Sequence, residues 1–98
     1  MNKRRPILEH EIEDTLALRL AQAGHLCIKF ISPGFAGVPD RIVLTSDGRV
    51  FFVECKAPGK ALRRTQPQVL ALLRNMGHRV EVVDTFARVE QLAVEFQQ

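Results

Sequence analysis

Two carboxylates and a lysine carry the chemistry this chain could do. Asp40 closes the segment Gly37-Val38-Pro39-Asp40, and Glu54-Cys55-Lys56 closes the apolar run Val50-Phe51-Phe52-Val53. Mg²⁺ takes hard oxygen ligands, commonly one or two carboxylates, several retained waters and a substrate phosphate. The backbone carbonyl of Cys55 is placed to add a further oxygen. Lys56 lies two residues beyond Glu54 and so shares its side of a strand. There its ammonium can hold a water and offset charge gathering on a phosphoryl group. The chemistry in outline is hydrolysis of phosphodiester bonds at a divalent-cation site. Each residue alone has a plainer reading: Asp40 as a turn residue, Glu54 and Lys56 as a surface ion pair. Together they point to a site, because a strand covered on both faces rarely ends in two same-side charges without a function or a partner.

Such a site needs a sheet to hold it. The run Val50 to Cys55 is continuously apolar, which predicts a strand covered on both faces. Arg41 to Thr45 predicts a second strand. Between them, Ser46-Asp47-Gly48-Arg49 predicts a hairpin, since Asp-Gly supplies the positive φ angles of a tight turn. The hairpin folds Asp40 back beside Glu54 and Lys56. Upstream, Leu8, Ile12, Leu16, Leu20 and Ala23 recur three or four apart and predict a helix over about 7–23, stopped by Gly24. His25 to Ile31 predicts a strand, and Ser32 to Pro39 a loop rich in Pro and Gly. Downstream, Ala57-Pro58-Gly59-Lys60 is another loop. A second helix follows, with Thr65 as its cap, Pro67 in its first turn and Val69, Leu70, Leu72, Leu73 and Met76 on its apolar side. Arg79 to Val83 predicts a fourth strand, and about 85–96 a last helix through Val89, Leu92, Ala93 and Phe96. The order α-β-β-β-α-β-α in 98 residues implies a single α/β domain over 1–98.

The net charge of +3 is unevenly laid out. Glu9, Glu11, Glu13 and Asp14 crowd the first helix. From Ala57 to Val80 there is no acid, while Lys60, Arg63, Arg64, Arg74 and Arg79 are present. A basic stretch beside an acidic site suits a polyanion whose phosphate must reach bound metal. Lys3, Arg4 and Arg5 form a basic amino-terminal arm. Cys27 and Cys55 are too few and too far apart for a zinc ribbon or redox pair and are expected as reduced core thiols. His10, His25 and His78 show no ligand spacing and are expected at the surface or in turns. No apolar run reaches membrane-span length and no secretory signal pattern opens the chain, which predicts a cytoplasmic protein.

The ordered set Ser32-Pro33-Gly34, Gly37-Val38-Pro39-Asp40, Glu54-Cys55-Lys56-Ala57-Pro58-Gly59 and Gln66 resembles the PD-(D/E)XK nuclease superfamily. More closely, it resembles the small stand-alone VRR-NUC domain of phage and bacterial type. The resemblance covers nearly the whole chain. It implies a restriction-endonuclease-like core, αβββαβ(α), with a central mixed sheet flanked by helices. It implies Asp40 and Glu54 as ligands of Mg²⁺ or Mn²⁺ and Lys56 as the catalytic lysine. Gln66 matches a glutamine that the family places beside the site. A glutamate of the first helix would complete the acidic cluster; Glu9 and Glu13 are the candidates, with Glu13 slightly preferred.

The function expected on this resemblance is divalent-metal-dependent DNA endonuclease activity on branched DNA. A homodimer like the Holliday-junction resolvases would cut two opposing strands. Exposed apolar residues on the last helix (Val89, Leu92, Phe96) or at Phe35 would serve that dimer. Lys60, Arg63, Arg64 and Arg41 are the expected nucleic-acid contacts, and no nucleotide cofactor is expected. With no Trp or Tyr, Phe35 is the one loop aromatic, which favours structure-specific over base-specific recognition. The alternatives are a flap or single-strand nuclease of the same chemistry, a non-catalytic nucleic-acid-binding module, and a small interaction domain.

Overall fold

The computed structural model describes residues 5–97. Lys3 and Arg4 of the basic arm lie outside them; Arg5 reaches back to the Glu11 carboxylate with both guanidinium NH₂ groups, at 2.8 and 2.6 Å. The elements follow in the expected order: α1 (Glu9–Gln22), β1 (Leu26–Lys29), β2 (Arg41–Leu44), β3 (Val50–Cys55), α2 (Gln66–Asn75), β4 (Val80–Val83) and α3 (Phe86–Glu95). The sheet order is β1-β2-β3-β4. β1, β2 and β3 run antiparallel in sequence, and β3 pairs with β4 in parallel. A parallel pair needs a crossover, and α2 supplies it. The result is an α/β fold with a mixed sheet.

One face of the sheet packs on α1 and α3. Their stripes, Ile12, Leu16 and Leu20 from α1 and Val89 and Leu92 from α3, meet Val43, Phe51, Val53, Cys55 and Val83 in a single core. Phe51 stacks on Phe96 with ring centroids 4.6 Å apart. Val89, Leu92 and Phe96 are therefore buried, which corrects the expectation that they stand exposed for a dimer. The last helix closes the core instead. Thr85 caps it, accepting the Arg88 N–H at 3.1 Å.

The opposite face is only half covered. The register places Leu26, Leu44 and Val50 in one row across it, and Ile28, Ile42, Phe52 and Val80 in the next. α2 lies over the β4 side, with Leu70 buried beneath it. Beyond α2 the sheet is open: Leu26 is 61% exposed and Val50 51%. β3 is thus covered on both faces only toward its carboxyl end, not along its whole length as its apolar run suggested. α2 is also less buried than expected, with Leu72 and Met76 exposed.

The β2–β3 hairpin turns at Gly48, which takes φ +90°. His25 departs from the surface position expected of it. It is buried, accepts the Ser46 N–H at Nδ1 (3.0 Å) and meets the Phe96 carbonyl through Nε2. It ties the end of α1 to the hairpin and to the end of α3. Both cysteines are free thiols; burial pushes Cys27 up to about 11 and Cys55 higher still. Among the described residues no helix is long and apolar enough to cross a membrane.

Candidate active site

β2 begins at Arg41, whose register partner is Val53. Past that pair β3 runs on alone on its β2 side, and Asp40 fills the gap. Its Oδ2 accepts the Cys55 N–H at 3.0 Å, while its own N–H donates to Glu54 Oε1 at 3.1 Å. A strand residue's N–H and C=O point to the same side, so the Cys55 carbonyl also faces Asp40. Asp40 Oδ1 accepts from no described residue.

Glu54 has no exposed surface, and its neighbours account for its burial. Oε2 accepts from Gln66 Nε2 at 2.7 Å and lies 3.4 Å from Lys56 Nζ. Gln66, the first residue of α2, is also fully buried. Its Oε1 accepts the Arg63 N–H at 3.0 Å. One amide therefore fixes the Glu54 carboxylate and the end of the basic loop together. Lys56, 6% exposed, lies between Glu54 and Glu9, whose Oε1 is 3.7 Å from its ammonium. Four residues expected at the site, Asp40, Glu54, Lys56 and Gln66, are thus assembled in one place, with Glu9 at its rim.

Glu13 and Arg41 pair with each other. Arg41 Nε donates to Glu13 Oε2 at 2.6 Å, and a second Arg41 nitrogen donates to the Cys27 carbonyl at 3.0 Å. Lys29 adds a cation 3.5 Å from the same Glu13 oxygen. Arg41 is nearly buried, so it stands apart from the exposed Lys60, Arg63 and Arg64 with which it was grouped as a nucleic-acid contact. The signal for this clamp was in the sequence: Arg41 alternates with Ile42, so its side chain meets α1 and not the open face.

Negative charge is gathered here faster than it is neutralised. Burial pushes both Asp40 and Glu54 above the ordinary carboxylate range. Asp40 then raises Glu54 further, and Glu13 and Glu9 raise Asp40. The donors are all hard oxygens, the set that suits Mg²⁺ or Mn²⁺ and not a soft metal. Among the described residues no three His, Cys, Asp or Glu side chains form a ready-made cage. A cation here would rest on two carboxylates, one carbonyl and whatever the substrate and water bring.

The family model of the VRR-NUC domain matches residues 4–87. The chain belongs to the VRR-NUC domain family. This VRR-NUC chain is 43% identical over 81 residues to "Putative nuclease p44" of Acyrthosiphon pisum secondary endosymbiont phage 1, a match that covers 83% of this chain and 87% of that one. A solved structure described as a VRR_NUC domain superposes with a TM-score of 0.81 at 27% identity, covering 90% of this chain and 96% of that one. Family and fold agree with what the residues implied. This is a nuclease-family protein, and its class of chemistry is phosphodiester hydrolysis in a nucleic acid.

Proposed function

We propose that this VRR-NUC chain is a Mg²⁺- or Mn²⁺-dependent DNA endonuclease that cuts branched DNA as a homodimer. The observation that supports it best is the under-neutralised pair Asp40 and Glu54, set beside a buried lysine at the open end of β3. Asp40, Glu54 and the Cys55 carbonyl would hold the cation. When bound, the cation would polarise the scissile phosphate and lower the pKa of the attacking water. Lys56 holds its ammonium toward the phosphate, anchored by Glu54 and Glu9, and offsets the charge that builds on the transferring group. Gln66 keeps the Glu54 carboxylate from rotating. Glu9 is the first-helix glutamate better placed to serve the site, because Glu13 is held by Arg41 and Lys29. Lys60, Arg63 and Arg64, all exposed, carry the phosphate contacts.

Cleavage of labelled linear duplex, single strand, flap and four-way junction, each with Mg²⁺, Mn²⁺ or EDTA, tests the reading. Metal-dependent cutting of the junction is expected, with Lys56→Gln lowering the rate by about 10²- to 10³-fold. Cutting confined to flaps or single strands would keep the chemistry and overturn the substrate. Metal-independent DNA binding with no cutting of any substrate would make the chain a binding module.

The dimer rests on the open sheet face. Leu26 and Ile28 project from edge strand β1, and Leu44 of β2 links Leu26 to Val50 of β3 in one apolar row on a small chain. A second copy would cover it. Sedimentation at micromolar concentration should give a dimer for the wild type and a monomer for Ile28→Lys. A wild type still monomeric at about 100 µM, which puts any dimer Kd above that concentration, would sink this part of the reading.

A further inference from the structure

The β1–β2 loop carries an aromatic ring that neither the core nor the acidic site uses. Phe35 is 52% exposed. It sits in a loop whose base is closed by the Phe30 N–H on the Asp40 carbonyl at 2.8 Å, so the loop ends on the candidate metal ligand itself. The loop is held in two further places. The Phe35 N–H donates to the Ser32 carbonyl at 3.3 Å. Gly37, at φ +90°, lies so close to α2 that a Cβ there would be 2.9 Å from Val69 Cγ2 and 3.0 Å from the Thr65 carbonyl. Thr65, whose side chain makes no capping bond, is thus a packing surface for this loop. Through Gly37 the loop rests on the start of α2, directly after the exposed cations Lys60, Arg63 and Arg64.

An exposed apolar ring, on a loop that ends at Asp40 and rests through Gly37 on the start of α2 just after three exposed cations, fits one kind of partner. We infer that Phe35 stacks on an unstacked base of the DNA near the cut, so that the enzyme selects branched or frayed DNA over continuous duplex. This rests on the nuclease reading. A protein partner would not call for the cations that precede α2, whereas a nucleic acid explains both ring and cations. Asp40 follows Phe35 by five positions, at most about 18 Å of chain, which is within a few nucleotides of a phosphate at the site. The phenyl ring has a flat face and no hydrogen-bonding group, so it can select an available base but cannot read which base it is. In continuous duplex both faces of every base are already stacked. At a junction, flap or single strand they are not.

The absence of Trp and Tyr makes the test direct. Phe35→Trp introduces the only indole, and Asp40→Asn in the same chain prevents cutting during titration. Emission should be quenched by a four-way junction or a single strand but not by a blunt continuous duplex. Phe35→Ala, with Asp40→Asn, should bind the junction between about 5- and 100-fold more weakly, with duplex affinity unchanged. Phe35→Leu keeps apolar bulk without a flat face and should resemble Phe35→Ala. No quench with any bound DNA, or junction selectivity preserved in Phe35→Leu, overturns this inference while metal-dependent cutting by the wild type stands. If the wild type cuts no DNA, the nuclease reading falls and takes the inference with it.

Discussion

Asp40→Asn should abolish metal-dependent cleavage, by about 10²-fold or more in kcat, and yet raise the melting temperature of the metal-free protein. The two effects share one cause. Asn keeps an oxygen for the Cys55 N–H that Asp40 Oδ2 now accepts, so the local backbone is preserved. What disappears is a negative charge set against Glu54, Glu13 and Glu9. Asp40 and Glu54 both titrate above the ordinary carboxylate range, so the folded chain binds their protons more tightly than the unfolded chain does. Stability from these groups is complete below the ordinary carboxylate pKa and is lost as pH rises through the raised values. At neutral pH the metal-free wild type therefore carries an electrostatic burden that Asp40→Asn relieves, so the variant should melt at the higher temperature. Thermal melts from pH 4 to 8 check it: the wild type should lose stability relative to Asp40→Asn as pH rises. Adding Mg²⁺ should restore the wild type and leave Asp40→Asn unmoved, because a ligand stabilises only the state that binds it. A Tm for Asp40→Asn at or below that of the wild type at pH 8, without metal, would mean that the acidic cluster is already neutralised from within.

The part of this arrangement that rests on local pattern was legible in the sequence. β3 spans Val50–Cys55 as expected, because the Asp-Gly turn fixes where it starts and Glu54-Cys55-Lys56 marks where the sheet opens. The stripe of α1 held for the same reason: Ile12, Leu16 and Leu20 have no competing period. Pairings across the chain were not legible. Glu9 and Glu13 are four apart on one helix face and look alike in sequence; only the seating of α1 on the sheet gives Lys56 to one and Arg41 to the other. His25 is buried because Ser46 and Phe96, 21 and 71 residues away, offer it partners. Covering the sheet takes a helix on each side, and a strand's own residues do not say how many helices lie over a given face. That is why the apolar run suggests cover over Val50, which the structure leaves open, and why Val89, Leu92 and Phe96 look free in sequence when they fill the other side.

Glu54→Ala should have the opposite effect on stability from Asp40→Asn, although both remove a carboxylate from the same cluster. Glu54 is fully buried and serves three donors: the Asp40 N–H, the Gln66 amide and the Lys56 ammonium. Truncation leaves the Asp40 N–H and the Gln66 amide with nothing to accept them. Lys56 keeps only the half-exposed Glu9, at 3.7 Å. Breaking a buried charged network by removing one partner costs about 3–5 kcal/mol, a large share of the 5–15 kcal/mol typical of a whole domain. Relief of the repulsion with Asp40 offsets part of this, but repulsion falls smoothly with distance, whereas a stranded buried donor loses its full solvation. Glu54→Gln should fall between the two. Its amide must present an NH₂ either to the Asp40 N–H or to the Gln66 NH₂, and if Gln66 turns to accept, its own NH₂ then faces the Arg63 N–H. Every arrangement sets one donor against another, at about 1–3 kcal/mol. Urea denaturation of the three variants and the wild type, without metal, should rank Asp40→Asn above wild type, and wild type above Glu54→Gln and then Glu54→Ala. A Glu54→Ala protein as stable as the wild type would mean that the end of β3 is held by apolar packing alone and that the carboxylate is kept only for chemistry.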